Sequence, residues 1–297
     1  MTDLKFDLMQ LCSARDGSEG TRKRRKEGLG LVADQLHELG YKRLRATQIK
    51  GRHAVALVRR WQGEGIATGT IKTRLSYIRY WAKRVGRAHV LYPDNALYGI
   101  DPRPRSVESK ALGLTEEQLS RLTGPYVERM RVSLRLMRYL GLRREEAMRW
   151  KPKVAIVRDE NGMIVEANIA KGWGKNGRPR TLPIRNDEQR QAMEDSIRVC
   201  TADGSMIPDT LRVEQYRNMI EYRTRLVGID SKHALRHEFA AELYRELTGC
   251  EPMNTRKPGD AIPKRTADRA ARDEVSRQLG HSRRVVVDAY LGRHRGS

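Results

Sequence analysis

Residues 154–184 read VAIVRDENGMIVEANIAKGWGKNGRPRTLPI, and here the chain changes its period. Val154-Ala155-Ile156-Val157 and Met163-Ile164-Val165 are short apolar, β-branched runs separated by Asn161-Gly162, a dipeptide suited to a tight hairpin turn. A second Asn-Gly, Asn176-Gly177, stands between that strand and Thr181-Leu182-Pro183-Ile184. Two successive turns of this kind predict a small three-stranded antiparallel sheet. Elsewhere apolar residues recur at helical spacing. The fold class is therefore mostly α, in two domains, with an N-terminal helical domain and a C-terminal α+β domain that holds the sheet.

Working outward toward the N-terminus, the spacing predicts a helix over Val127–Leu140 that stops at Gly141. A shorter helix begins at Leu114-Thr115-Glu116-Glu117, where Thr115 caps an acidic first turn. Asp101-Pro102-Arg103-Pro104-Arg105-Ser106 has two prolines and no apolar period, so 101–111 reads as a linker between a helical domain over 21–100 and a second domain over 112–297. In the first domain Thr21 is placed to cap a helix carrying Leu29, Val32, Leu36 and Leu39, ended by Gly40. A second helix runs from Thr47 to Gln62 with Ile49, Ala54, Leu57 and Trp61 inward. A third starts at Thr70, with Ile71, Leu75, Ile78, Ala82 and Val85 as its stripe and Lys72, Arg79, Lys83 and Arg87 outward. Residues 1–20 show little pattern and read as a flexible arm, or one ordered on binding. Toward the C-terminus helices resume near Asn186, interrupted by a polar stretch from Thr248 to Lys264.

A length of 297 residues fits about two domains. Charge is the outlier: 59 Lys and Arg against 37 Asp and Glu leave +22. Residues 1–105 carry 22 basic and 10 acidic side chains and the remainder 37 and 27, so both halves are basic. Self-repulsion of that size suits a polyanion partner, which favours phosphate contact over a merely solvated face for Lys72, Arg79, Lys83 and Arg87. No apolar run approaches the ~18 residues of a membrane span, and the acidic Asp3 and Asp7 interrupt any signal-peptide core. Cys12, Cys200 and Cys250 are far apart, with no CxxC. That excludes a zinc finger and a disulfide scaffold and fits a reducing cytoplasm. The low aromatic content, 6%, argues against a generic RNA binder.

Four segments bear chemistry. In His233-Ala234-Leu235-Arg236-His237 the helical angle puts His233, Arg236 and His237 on one side and Leu235, Phe239 and Leu243 on a buried stripe. Two imidazoles flanking a guanidinium make an anion site. A metal pair is disfavoured, because the position four beyond His237 is Ala241 and Arg236 would repel a cation. In Gly141-Leu142-Arg143-Arg144-Glu145-Glu146, Arg143 opens a helix, so guanidinium and helix dipole face one anion, and Glu146 one turn on can orient a basic neighbour. Leu279-Gly280-His281-Ser282 precedes Tyr290, nine residues after His281. The two meet only if the helix breaks between them, with Ser282 as a cap. Finally, Lys171-Gly172-Trp173-Gly174-Lys175 lies on the second hairpin loop, from which a lysine can reach a neighbouring site.

Taken in order, GLRxxE, a hairpin lysine, HxLRH, LGH and then a tyrosine near the C-terminus, the chain resembles the tyrosine recombinase (phage integrase) family. The resemblance covers 112–297 well, and 22–100 in layout and charge. It implies an N-terminal core-DNA-binding domain and a catalytic domain that cleaves and rejoins duplex DNA through a 3′-phosphotyrosyl link at Tyr290, with site-specific recombination in the service of a mobile element. Arg143 and Arg236 would clamp the phosphate and His281 would hydrogen-bond to it. His233 would take the phenol proton, since an imidazole titrates near neutrality. Glu146 and His237 would support these side chains. Lys175, eight residues before Pro183 as in the family's hairpin, would protonate the leaving oxygen, with Lys171 the alternative. The implied partners are duplex DNA, a homotetramer on two sites assembled from monomers, and accessory DNA-bending proteins. No cofactor or metal is implied, and the expected place of action is the cytoplasm, with no membrane. The alternatives are a topoisomerase-like nicking-closing enzyme and a non-catalytic DNA-binding regulator on the same scaffold. The 248–264 stretch makes the HxLRH-to-LGH interval longer than in compact members, and the seven residues after Tyr290 are short for a tail that docks on a neighbour.

Overall fold

The computed structural model describes residues 2–13, 16–101, 113–174, 179–200, 204–281 and 283–293. The chain divides into two compact units, Met1–Pro104 and Arg105–Ser297. The linker prolines Pro102 and Pro104, the second Asn-Gly turn and Ser282 lie outside the described residues.

The first unit is helical: α1 (Asp3–Leu11), α2 (Glu19–Glu38), α3 (Gly51–Gly63) and α4 (Thr68–Arg84). The reading of residues 1–20 as a flexible arm is corrected by α1, which packs on α2. Thr2 caps it, Leu4 and Leu8 are one turn apart and buried, and Asp7 takes two hydrogen bonds from Arg45 at 2.8 Å and one from the Ala46 amide at 3.0 Å. Two leucines at i and i+4 are enough apolar face for a nine-residue helix when ion pairs tie its ends. The helix expected from Thr21 begins at Glu19, because Ser18 caps it by accepting from the Thr21 amide. Leu29, Val32 and Leu36 are buried in it, but Leu39, past the last turn, is exposed. The 46–48 segment is a 3-10 turn, so the next helix starts at Gly51. Ile49, Ala54, Leu57 and Trp61 face the core as their spacing requires, as do Ile71, Leu75, Ile78 and Ala82 of α4. Trp61 and Trp81 bury their indoles and donate to Gln35 and the Ala46 carbonyl, both at 2.8 Å, so neither buries an unpaired N–H.

The second unit is mostly helical around one sheet. It contains α5 (Glu116–Ser120), α6 (Val127–Tyr139), α7 (Arg144–Met148), α8 (Pro152–Ala155), α9 (Asp187–Val199), α10 (Val213–Leu226), α11 (Lys232–Thr248), α12 (Arg265–Gln278) and α13 (Asp288–Leu291). The sheet is three-stranded and antiparallel in the order β1 (Ile156–Arg158), β2 (Ile164–Ile169), β3 (Arg180–Pro183). Val154 and Ala155 belong to α8 rather than to a strand, because Pro152 pre-sets the first helical turn. Ile164, Ala167 and Ile169 of β2 point into a core with Leu182, Trp150, Leu136 and Met137. A separate apolar cluster joins α11, α12 and α13 through Phe239, Leu243, Val275, Leu279, Val287 and Tyr290.

Candidate active site

Helix α11 carries the centre of the site, and it is buried on nearly every side. Arg236 is fully inaccessible and His237 is 4% exposed, so the expected polar face is interior, while His233 remains exposed at the first turn. Lys232 anchors that turn through Thr224 Oγ1 and Glu221, each at 3.0 Å.

Four of the five N–H groups of the Arg236 guanidinium donate to the Gly141 and Leu279 carbonyls, the Tyr290 hydroxyl (Nε to O, 3.3 Å) and His281 Nε2 (3.3 Å). Gly141 makes one of these possible. Its φ is +60°, and a side chain there would run into the Phe239 ring. Burial lowers the Arg236 pKa to about 10, against the favourable charge of Tyr290, so the group stays cationic at neutral pH. Among the described residues no carboxylate forms an ion pair with it. A buried cation held only by neutral groups is a site that an anion would stabilise.

Arg143 is the N-cap of α7, and its amide and guanidinium both donate to Glu146 at 2.9 Å. At five residues α7 is too short to supply the dipole expected of it, so the local charge is the guanidinium itself. Glu146 is buried and also accepts from Arg180 of β3 at 3.0 and 2.7 Å. Burial alone would raise its pKa, but the Arg180 bonds and charge prevail and hold it at about 2. The strand pattern in the sequence starts at Thr181, one residue after Arg180, so it does not single Arg180 out, whereas β3 begins at Arg180. Its signal is an arginine at the inner end of a strand, and Gln278 receives its Nε at the main-chain carbonyl, 2.7 Å away.

Tyr290 reaches this centre because α12 ends at Gln278, before His281, so the two residues do not share one continuous helix. A 3-10 turn at Arg284–Val287 leads into α13, which brings the two rings to 5.2 Å. Tyr290 is 5% exposed, and its ring stacks on His237 with centroids 4.3 Å apart. Its hydroxyl lies 3.1 Å from His233 Nε2. Arginine has no acceptor, so the phenol oxygen accepts from Arg236 and its proton can go to His233. His281 has its pKa lowered to about 3 by burial and then by Arg236, Arg143, Arg180 and His233, and is neutral at pH 7. With Nε2 accepting from Arg236, its proton sits on Nδ1, a buried atom without a hydrogen-bond partner among the described residues.

Lys175 lies outside the described residues, as does the rest of 175–178. The loop enters that segment at Gly174, where an added Cβ would stand 2.5 Å from Glu146 Oε1. Lys171, at the start of the loop, is exposed. In the N-terminal unit, Lys72, Arg79 and Arg87 are half-buried and donate to carbonyls of their own unit: Asp101 at 2.7 Å, Tyr92 at 3.3 Å and Ile49 at 3.1 Å. Lys83 is the exposed member of that set. The structure thus brings together Arg143, Glu146, His233, Arg236, His237, His281 and Tyr290. Among the described residues no group of three or more His, Cys, Asp and Glu is placed to hold a metal ion, and no helix is long and apolar enough to cross a membrane.

Residues 1–91 match the family described as phage integrase, N-terminal, and residues 125–242 match the family described as integrase. The chain belongs to the phage integrase family. The second match ends before His281 and Tyr290, so geometry alone joins those two to the rest. No curated protein sequence matches this integrase. Its fold is similar to that of XerH site-specific recombinase bound to difH substrate in a post-cleavage complex, at 15% identity and TM-score 0.61, covering 98% of this chain and 82% of that one. The Tn1549 transposon integrase in complex with circular intermediate DNA matches at 15% identity and TM-score 0.59, covering 98% and 96%. A lambda integrase tetramer bound to a Holliday junction matches at 13% and 0.57, covering 98% and 77%.

Proposed function

We propose that this integrase is a site-specific DNA recombinase that breaks and rejoins duplex DNA through a tyrosine-linked intermediate. The observation that carries the reading is the placement of the Tyr290 hydroxyl, 3.3 Å from Arg236 Nε and 3.1 Å from His233 Nε2, beside a buried arginine that forms no ion pair among the described residues, the nearby Glu146 carboxylate being bonded to Arg143 and Arg180. A scissile phosphate complements that cation in charge. Its non-bridging oxygens would take donors from Arg236 and Arg143 and from the unpaired His281 Nδ1, charge that grows in the transition state being where fixed donors act most strongly.

In the reaction, the Tyr290 oxygen bonds to phosphorus as its proton passes to His233, and the bond from phosphorus to the 5′ oxygen breaks. That oxygen is protonated by Lys175, or by Lys171 if the loop register differs. Reversal with a different 5′-hydroxyl rejoins the strand, and the phosphotyrosine conserves the bond energy, so no nucleotide cofactor is needed. His237 supports the phenol ring by stacking, and Glu146 holds Arg143. Lys83, and Lys72, Arg79 and Arg87 after exchanging a carbonyl for a phosphate, would contact the backbone of the duplex. The lambda integrase tetramer on a Holliday junction and the Tn1549 transposon integrase on its DNA support the readings of a tetramer and of service to a mobile element.

The test is covalent trapping. Full-length protein is incubated with sheared genomic DNA from its source in EDTA, quenched with SDS, and the attached DNA is sequenced. Adducts at a few loci, lost in Tyr290→Phe, are expected. Binding to DNA with no adduct would favour the non-catalytic regulator, and relaxation of supercoils without exchange between molecules would favour nicking and closing.

A further inference from the structure

The stretch between α11 and α12 takes no part in the chemistry above, yet it grips the segment that carries Tyr290. Asn254 Nδ2 donates to the Tyr290 carbonyl at 2.9 Å, and the Asn254 amide donates to the Leu291 carbonyl at 3.3 Å. Gly292 permits the approach: its φ is +78°, and a Cβ there would lie 2.8 Å from the Asn254 nitrogen and 3.1 Å from Met253 Cβ. From α12, Arg272 donates to the Gly292 carbonyl at 2.9 Å and to Asp288 at 3.3 Å. Arg272 is fixed in turn by Asp268 at 3.0 and 3.1 Å, and Asp268 accepts from Tyr244 of α11 at 2.5 Å. The gripping stretch is braced as well, since Glu251 accepts from Arg245 and from Thr255, each at 2.8 Å.

These bonds matter because α13 is four residues long. A single turn does not persist by itself, and its last carbonyls have no partner within the helix. Asn254 and Arg272 supply those partners. A small rotation of the Tyr290 backbone would carry the hydroxyl, at the far end of the ring, out of reach of Arg236 and His233.

We propose that Asn254 is a positioning residue. It latches the tyrosine segment into the site, with Arg272 holding the other side, so that the Tyr290 hydroxyl stays within reach of Arg236 and His233. The proposal rests on the reading of Tyr290 as nucleophile, and its test has one arm independent of that reading.

The first arm uses the full-length protein without DNA. Hydrogen exchange is followed over residues 285–293 in wild type, Asn254→Ala and Asn254→Asp, the last keeping the shape but losing the donor. Loss of one buried hydrogen bond on a one-turn helix is expected to speed exchange there by about tenfold, with α6 and β2 unchanged as the control for folding. Unchanged exchange over 285–293 in both variants would overturn the latch whatever the chemistry.

The second arm uses sheared genomic duplex DNA. Asn254→Ala is expected to lower adduct yield about tenfold at unchanged DNA affinity, and Asn254→His, which retains a donor, to recover most of it. An adduct yield for Asn254→Ala equal to wild type would overturn the positioning role. A wild type that forms no adduct would refute the function proposed above, and the exchange experiment would still decide the latch.

Discussion

Two arginine clusters meet around Tyr290, and they are held in opposite ways. Arg180 and Arg143 close on one buried carboxylate, Glu146, which neutralises charge locally and fixes the direction of Arg143. Arg236, more deeply buried than either, has carbonyls, a phenol and an imidazole around it. The first sets charge against charge at hydrogen-bond distance, and the second surrounds a charge with neutral acceptors. The difference bears on the proposed roles: Glu146 fixes geometry through direct ion pairs, while Arg236 feels that carboxylate only at a distance and is the cation proposed to take the phosphate.

The comparison breaks most sharply at Glu146. Glu146→Gln leaves Arg180 a buried cation without its counter-ion, and chemical denaturation should show a loss of about 3–5 kcal/mol. A loss below 1 kcal/mol would mean that the Arg180 side is not held as described. Arg236→Lys should act on the other side. It keeps the charge but not the fork of donors, and cleavage should fall by about 10²–10³ while DNA affinity, set by many phosphate contacts, stays near wild type. An affinity loss equal to the cleavage loss would make Arg236 a binding residue only.

The pH response sharpens the same contrast. The His281 pKa is depressed to about 3 and that of Glu146 to about 2, so the unfolded chain takes up these protons before the folded one does. The His281 contribution is therefore complete above about pH 6.5 and shrinks as pH falls toward 3. Glu146 adds its own loss below about pH 4.5. The partly screened ring should give a slope well under the ideal of about 1.4 kcal/mol per pH unit. His281→Gln should flatten the upper limb of thermal stability between pH 6.5 and 5. Inorganic phosphate should stabilise wild type more at pH 5 than at pH 8, because a bound anion favours protonated His281. A phosphate effect that is the same at both pH values would argue against an anion next to this ring.

The smallest effect concerns the N-terminal unit. Lys83→Ala should change stability by less than about 0.5 kcal/mol and reduce the salt slope of DNA binding by about 1. Lys72→Ala should disturb stability more, through its bond to the Asp101 carbonyl.

What the sequence makes legible follows from the range of the forces involved. Helix periods, the Asn161-Gly162 turn and the cap at Thr115 are local, and the elements stand close to where those signals put them. The order of Arg143, His233, Arg236, His281 and Tyr290 along the chain identifies the candidates, and the structure brings all five to one place. Burial was the weak point. Arg236 and His237 read as a polar face because the chain does not reveal that α11 is packed on both sides. Arg180 and Asn254 carry no motif, and their importance lies in partners 34 and 36 residues away. Docking of α1 was invisible for the same reason, since Asp7 finds Arg45 only in three dimensions.

The most direct test of the central claim is where DNA becomes attached. Adducts trapped with SDS would be digested with nuclease and trypsin and the peptides read by mass spectrometry. The account predicts a nucleotide 3′-phosphate on the peptide Val285–Arg293, on Tyr290 itself. A nucleotide on any other residue, or strand cleavage with no modified peptide, would contradict it.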